Sequence, residues 1–165
     1  IQITKAINDR EGRKLNVILS GISESENATQ AVNKVFEDIN VTTTPQVIRR
    51  IGTERANVTR KIFVRLSSEE TVAEVLRKKA KLKESPEEWL RSVYINEDLS
   101  HEQRDFLSNL YKDVMSRNSK LPTETKFKFI VTGRRSRPFI KKIDVDILLS
   151  EAGTCDADSS RKSQK

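Results

Sequence analysis

Residues 60–83 read RKIFVRLSSEETVAEVLRKKAKLK. The apolar residues of the first part occupy alternate positions: Ile62, Val64 and Leu66. This period is typical of a β-strand with one buried face. The second part opens with acidic residues and closes with basic ones around an apolar stripe, as an amphipathic α-helix does. The stretch therefore predicts a strand that leads directly into a helix.

Three further strands and a second helix surround this stretch. The strand patterns are LNVILSGI at 15–22, QVIRRIG at 46–52 and SVYIN at 92–96, and the helical pattern is NATQAVNKVFEDI at 27–39. The resulting order, β-α-β-β-α-β, predicts a four-stranded antiparallel sheet with both helices on one face. We therefore expect an α+β fold of the RRM-like (ferredoxin-like) type, with the other face of the sheet uncovered.

A helix and a β-hairpin are predicted after this sheet. Residues 100–115 carry an apolar stripe: Phe106, Leu107, Leu110, Tyr111, Val114 and Met115. Residues 126–143 read KFKFIVTGRRSRPFIKKI, a hairpin pattern with Gly133 near its turn. We expect the stripe and the phenylalanines Phe127, Phe129 and Phe139 to face a small core.

These elements predict four segments along the chain. Residues 1–13 are a stub of an upstream helix or coiled coil, and 14–97 form the RRM-like domain. Residues 98–150 form a small domain of helix and hairpin, and 151–165 are a disordered tail because they are small, polar and charged.

The composition argues against several classes of enzyme. The chain has one cysteine (Cys155), one histidine (His101) and five glycines, and no phosphate-binding glycine motif. A zinc site needs several Cys or His ligands, and no apolar run is long enough to span a bilayer. We expect no catalytic residue, metal, cofactor, small-molecule substrate or membrane partner. The net charge of +7 favours partners that carry phosphate.

The uncovered face of the sheet is the first candidate site. If Ile62, Val64 and Leu66 face the helices, then Lys61, Phe63 and Arg65 face away from them. Aligned with the RRM motif that stacks bases on two aromatics, this chain keeps Phe63 and places Lys61 at the other position. One of Arg49 and Arg50 on the second strand should lie beside them. The candidate residues here are Arg49, Arg50, Arg60, Lys61, Phe63 and Arg65. The alternative is an ordinary charged surface.

The hairpin is the second candidate site. From Lys126 to Lys142 there are seven basic residues and no acidic one. Clustered cations bind phosphates and release counterions as they do so. The candidate residues are Arg134, Arg135, Arg137 and Lys141. The alternative is a solvated turn.

Four motifs then resemble one known family. They are NVILSGISE at 16–24, RRIG at 49–52, FVRLSSEE at 63–70 and NEDLS at 96–100. Together they resemble the first-open-reading-frame protein of LINE-type non-LTR retrotransposons, over about residues 13–149. The resemblance places the family's arginine at the end of the second strand on Arg50 and its base platform on Phe63. The chain departs from mammalian members at Leu107 and Ser108, where they carry two arginines.

The resemblance implies a function and partners. Members of the family trimerise through a coiled coil, coat their own RNA and act as nucleic-acid chaperones. We therefore expect binding of single-stranded RNA or DNA in a retrotransposon ribonucleoprotein, and a homotrimer formed through an upstream coiled coil. The expected location is cytoplasmic particles, with the nucleus as an alternative. The rival function is an RRM-like protein–protein interaction module that does not bind RNA directly.

Overall fold

The computed structural model describes residues 2–144, and the predicted tail at 151–165 lies outside them. The chain divides into two compact units, Ile1–Ser100 and His101–Lys165.

The first unit contains four strands, four α-helices and a 3-10 helix. The strands are β1 (Asn16–Ser20), β2 (Val47–Arg50), β3 (Ile62–Arg65) and β4 (Tyr94–Glu97). The helices are α1 (Gln2–Arg13), α2 (Ala28–Asp38), α3 (Glu69–Lys78) and α4 (Glu88–Arg91), and the 3-10 helix is Lys79–Glu84.

The strands form one antiparallel sheet in the order β2-β3-β1-β4. One face of the sheet packs against α2 and α3 to form the hydrophobic core. The buried residues include Val17, Leu19, Ile62 and Val64 of the strands and Val35, Phe36, Val72 and Val75 of the helices. Ile62, Val64 and Leu66 are 0% exposed, whereas Phe63 and Arg65 between them are partly exposed. The predicted antiparallel sheet and the alternation along its third strand are confirmed.

Local interactions set the starts of the two core helices. The Asn27 side chain accepts hydrogen bonds from the backbone N–H groups of Thr29 and Gln30 at the start of α2. Ser68 accepts one from Thr71 at the start of α3. Such caps satisfy backbone donors that have no partner within the helix.

The second unit contains α5 (His101–Ser119) and a hairpin of β5 (Phe127–Arg134) and β6 (Arg137–Asp144), which packs against α5. The predicted hairpin is confirmed, and its turn is the pair Arg135–Ser136. Gly133 has φ +88°, and an added Cβ would lie 2.9 Å from the Arg137 carbonyl oxygen and from the Phe139 ring. Only glycine fits this position without strain.

The predicted core of the second unit is partly wrong. Leu107 and Val114 are buried, but Phe106, Tyr111 and Met115 are exposed. At about 100° per residue the six apolar residues span half of the helix circumference, and a two-stranded hairpin covers only the middle of it.

Phe139 is also exposed, contrary to prediction. In the hairpin register Phe139 lies opposite Thr132, whereas Phe129 lies opposite Lys142. Side chains alternate along a strand, so Phe139 projects from the other face of the hairpin than Phe127 and Phe129.

Candidate nucleic-acid interface

The sheet of the first unit has an outer face, which is the side opposite its buried core residues. The strand register places these side chains on it: Asn16, Ile18, Ser20, Val47, Arg49, Phe63, Arg65, Tyr94 and Asn96. Lys61 immediately precedes β3, two residues from Phe63, and its side chain is exposed. By strand alternation it belongs to the same face.

The centre of the outer face is an aromatic ring stacked with an arginine. Phe63 lies between Arg49 on β2 and Ile18 on β1. The Arg49 guanidinium carbon is 4.8 Å from the centroid of the Phe63 ring, which is a cation–π contact. The sequence left open which arginine of the pair at 49–50 reaches this face, and the structure places Arg49 there.

Arg50 lies on the other side of the sheet, and its predicted place on the outer face is wrong. Arg50 pairs across the ladder with the buried Ile62. Its guanidinium donates hydrogen bonds to the carbonyl oxygens of Ile22, Ser23, Glu26 and Arg60. Only 10% of its side chain is exposed. Arg50 therefore clamps the loop between β1 and α2 and does not present its charge on the outer face.

Arg60 is held by two acidic residues. Its side chain hydrogen-bonds Glu24, with Nη2 to Oε2 at 2.9 Å, and its Nη2 is 3.2 Å from a Glu54 carboxylate oxygen. The hydrogen bond from the Arg60 side chain, more than the backbone bond from Arg60, lowers the pKa of Glu24 to about 2. The same pair raises the pKa of Arg60 above its ordinary value. The charge of Arg60 is largely compensated within the protein.

The remaining sheet candidates share one surface. Arg65 and Phe63 follow each other on the same face of β3, and Lys61 continues that line beyond the strand. Arg65 lies between Val47 on β2 and Asn16 on β1. Of the six predicted sheet residues, the structure thus brings together Arg49, Lys61, Phe63 and Arg65.

Helix α1 borders this surface, which the sequence did not indicate. A cleft of about 470 Å³ is lined by residues of α1 and of the outer face, among them Asp9, Arg13, Ile18, Arg49 and Phe63. Arg13 and Asn16 both hydrogen-bond the Asp98 carboxylate, at 2.8 and 3.0 Å. These bonds fix the end of α1, and the Asn16 side chain that makes one of them is buried.

An aromatic residue at the corner of the outer face was not predicted from the sequence. Tyr94 lies opposite Ser20, and 57% of its surface is exposed. The ammonium of Lys83 is 3.9 Å from the centroid of its ring and donates a hydrogen bond to the carbonyl of Arg91. The alternation in SVYIN, with Val93 and Ile95 buried, is the signal that could have identified it.

The hairpin of the second unit carries its own basic surface. Arg134 and Arg137 lie opposite each other at the end of the ladder, and Phe139 and Lys141 follow on the same face. All four are exposed, as is Arg135 in the turn. Phe127 and Phe129 project from the other face, and Asn118 of α5 hydrogen-bonds the backbone of Phe129. The outward face of the hairpin therefore combines an aromatic ring with cations.

Residues 2–144 contain neither a candidate metal site nor a membrane-spanning helix. No group of three or more His, Cys, Asp or Glu residues in this range could hold a metal ion. None of the helices in the same range has the length and apolar character needed to cross a membrane.

Comparison with known proteins assigns no family to the chain. Neither the models of protein families nor the curated proteins contain a match to it.

Proposed function

We propose that the outer face of the first unit binds single-stranded nucleic acid, with RNA as the expected ligand. The observation that carries the proposal is the Phe63 ring stacked with the Arg49 guanidinium and followed on the same strand face by Arg65. An aromatic platform beside cations suits single strands because every base has a π-face and every nucleotide a phosphate.

The topology supports this proposal. The strand order β2-β3-β1-β4, with α2 and α3 contributing to the core on one side, is that expected of an RRM-like fold. Such folds use the uncovered sheet face to stack unpaired bases. The second unit adds the basic hairpin face of Arg134, Arg135, Arg137 and Lys141 as a further surface for phosphates.

The resemblance noted in the sequence extends the proposal to a biological setting. We place the chain in a retrotransposon ribonucleoprotein of the LINE type, as an RNA-coating protein and nucleic-acid chaperone that trimerises through an upstream coiled coil. The setting is cytoplasmic particles, with the nucleus as an alternative. Chaperone activity would accelerate the annealing of complementary oligonucleotides labelled as a fluorescence donor–acceptor pair.

A salt titration tests nucleic-acid binding directly. Binding of fluorescein-labelled 12-nucleotide RNAs of unrelated sequence is measured by polarisation at increasing KCl concentration. If about five phosphates are neutralised, the log–log slope is roughly −3.5, at about −0.7 per phosphate. Unrelated sequences should bind with similar affinity, because stacking and phosphate contacts do not read base edges.

Paired double variants locate the surface. Lys61→Ala with Arg65→Ala should reduce the magnitude of the slope by about 1.4, which is two contacts at about 0.7 each. Arg77→Ala with Lys81→Ala removes two exposed charges of α3 and the 3-10 helix and should change it less. Equal effects of the two pairs would mean that binding follows net charge alone and has no defined surface on the sheet.

One observation favours the rival function, a protein-interaction module. Val47 and Ile51 are 41% and 38% exposed; Val47 lies on the outer face in β2, and Ile51 directly follows that strand. Exposed apolar side chains on a sheet are typical of surfaces that partner proteins cover. Either a slope near zero or no measurable affinity for any RNA or DNA strand would contradict the proposed function and support this rival.

A further inference from the structure

Tyr94 is the second large aromatic ring on the outer face of the sheet. On β1 the outer-face residue beside Phe63 is Ile18, so the centre of the sheet offers a single ring. Tyr94 stands at the corner of the same face, opposite Ser20, and is one of its most exposed residues. Its neighbours Val93 and Ile95 supply the buried side of the strand, so the Tyr94 ring is not part of the hydrophobic core.

Lys83 holds this ring and adds charge to it. Its ammonium lies 3.9 Å from the centroid of the Tyr94 ring, and the hydrogen bond to the Arg91 carbonyl, 2.7 Å long, anchors it there. A restrained ring loses little conformational entropy when a base stacks on it. The ammonium over one face of the ring can also meet a phosphate of the nucleic-acid strand whose base stacks on the other face.

The sheet register sets the spacing between the two rings. Phe63 lies on β3 and Tyr94 on β4, with β1 between them. Two strand spacings give about 9.6 Å, and the two-residue offset between Ile18 and Ser20 along β1 adds about 6.8 Å at right angles. The backbone positions that carry the two rings are therefore about 12 Å apart. An extended single strand of nucleic acid advances about 7 Å per nucleotide, roughly twice the 3.4 Å rise of a stacked duplex strand. Two nucleotides therefore cover about the distance between the two positions.

We propose that Tyr94 is a second base-stacking position, which takes the nucleotide two steps along from the one on Phe63. The inference rests on the proposed function and adds to it a path for the bound nucleic acid, which runs diagonally across the outer face from β3 to β4. Lys83 contacts the phosphate beside the stacked base. The ligand class is any single strand with unpaired bases, because stacking on a tyrosine ring does not select among them.

The experiment is a titration of labelled decauridylate with the chain and its variants. Tyr94→Ala should weaken binding by about 5- to 150-fold and leave the salt slope unchanged, because a ring and no charge is lost. Tyr94→Phe keeps the ring and should bind within about twofold of the parent. Tyr111→Ala, which removes an exposed tyrosine of α5, is the matched control and should have no effect.

Photocrosslinking supplies a second measurement that needs no variant. Decauridylate with 5-iodouridine should crosslink to Tyr94 as well as to Phe63, as mapped by mass spectrometry of the peptides. If Tyr94→Ala is folded by circular dichroism and binds as tightly as the parent while Phe63→Ala binds weakly, the inference is wrong and the proposed function stands. Crosslinks at Phe63 with none at Tyr94 overturn it equally. If the parent binds no decauridylate, the proposed function itself fails.

Discussion

Replacing Arg50 with alanine should destabilise the first unit without changing how nucleic-acid binding depends on salt. The neighbouring arginines Arg49 and Arg50 are indistinguishable in the sequence, yet their side chains lie on opposite sides of the sheet. One stacks on Phe63, and the other donates to four backbone carbonyl groups. The pair therefore separates a structural arginine from a candidate ligand-binding one.

The expected loss of stability follows from the surroundings of those carbonyls. The bonds to Ile22 and Arg60 are partly buried, and the bonds to Ser23 and Glu26 are exposed. Water can replace the exposed bonds at little cost. Two partly buried bonds from a charged donor, at about 1.5 kcal/mol each, give a loss of about 3 kcal/mol. A domain of ordinary stability, about 5–15 kcal/mol, would remain folded.

Urea unfolding followed by circular dichroism measures this loss, with Arg49→Ala as the control. Arg49→Ala should change the free energy of unfolding by about 1 kcal/mol or less, the usual strength of an exposed cation–π contact. It should reduce the salt slope of binding by about 0.7. The reasoning is refuted if Arg50→Ala is as stable as the parent, or if it lowers the salt slope as a phosphate ligand would.

Three further predictions concern acid, the hairpin and the core. The folded pKa of Glu24, about 2, lies below its ordinary value of 4.5, so its contribution to stability is complete above pH 4.5 and is lost as the pH falls towards 2. Glu24→Gln should therefore flatten the acid dependence of the urea midpoint between pH 5 and pH 2, and an unchanged profile would contradict this. Arg134→Ala with Arg137→Ala should reduce the magnitude of the salt slope by up to about 1.4. Phe139→Ala should weaken binding at constant slope. If these variants bind as the parent does, the hairpin takes no part in nucleic-acid binding. Val64→Asp buries an unpaired carboxylate and should unfold the first unit, which thermal melting would reveal.

The strands were predictable because each carries its own evidence in the sequence. The alternation of Ile62, Val64 and Leu66 determines both the strand and the face on which Phe63 lies. The same local reasoning failed at 49–50, because β2 is too short to show which of two arginines faces outward. That choice depends on pairing with β3, where Arg49 meets Phe63 and Arg50 meets Ile62.

Side-chain partners from distant parts of the chain were beyond prediction. Arg60 looks like a free cation in the sequence, but Glu24 lies 36 residues away and neutralises it. Asp98 and Arg13 are 85 residues apart, so the contact that fixes α1 beside the outer face has no local signal. Phe139 was predictable in principle: with the turn placed at Arg135–Ser136, strand parity puts it on the outward face.

The hydrogen bonds of Asn118 have a consequence for self-association. A two-stranded sheet offers its outer backbone groups to any other extended chain, and residues 127–131, FKFIV, have the β-forming, apolar character of aggregation-prone segments. The Asn118 side chain accepts from the backbone N–H of Phe129 and donates to its carbonyl, at 2.8 and 2.9 Å. A single amide thus takes the place of a third strand at the middle of that segment. A neighbouring chain that approached this edge of β5 would find both backbone groups of Phe129 already hydrogen-bonded to Asn118.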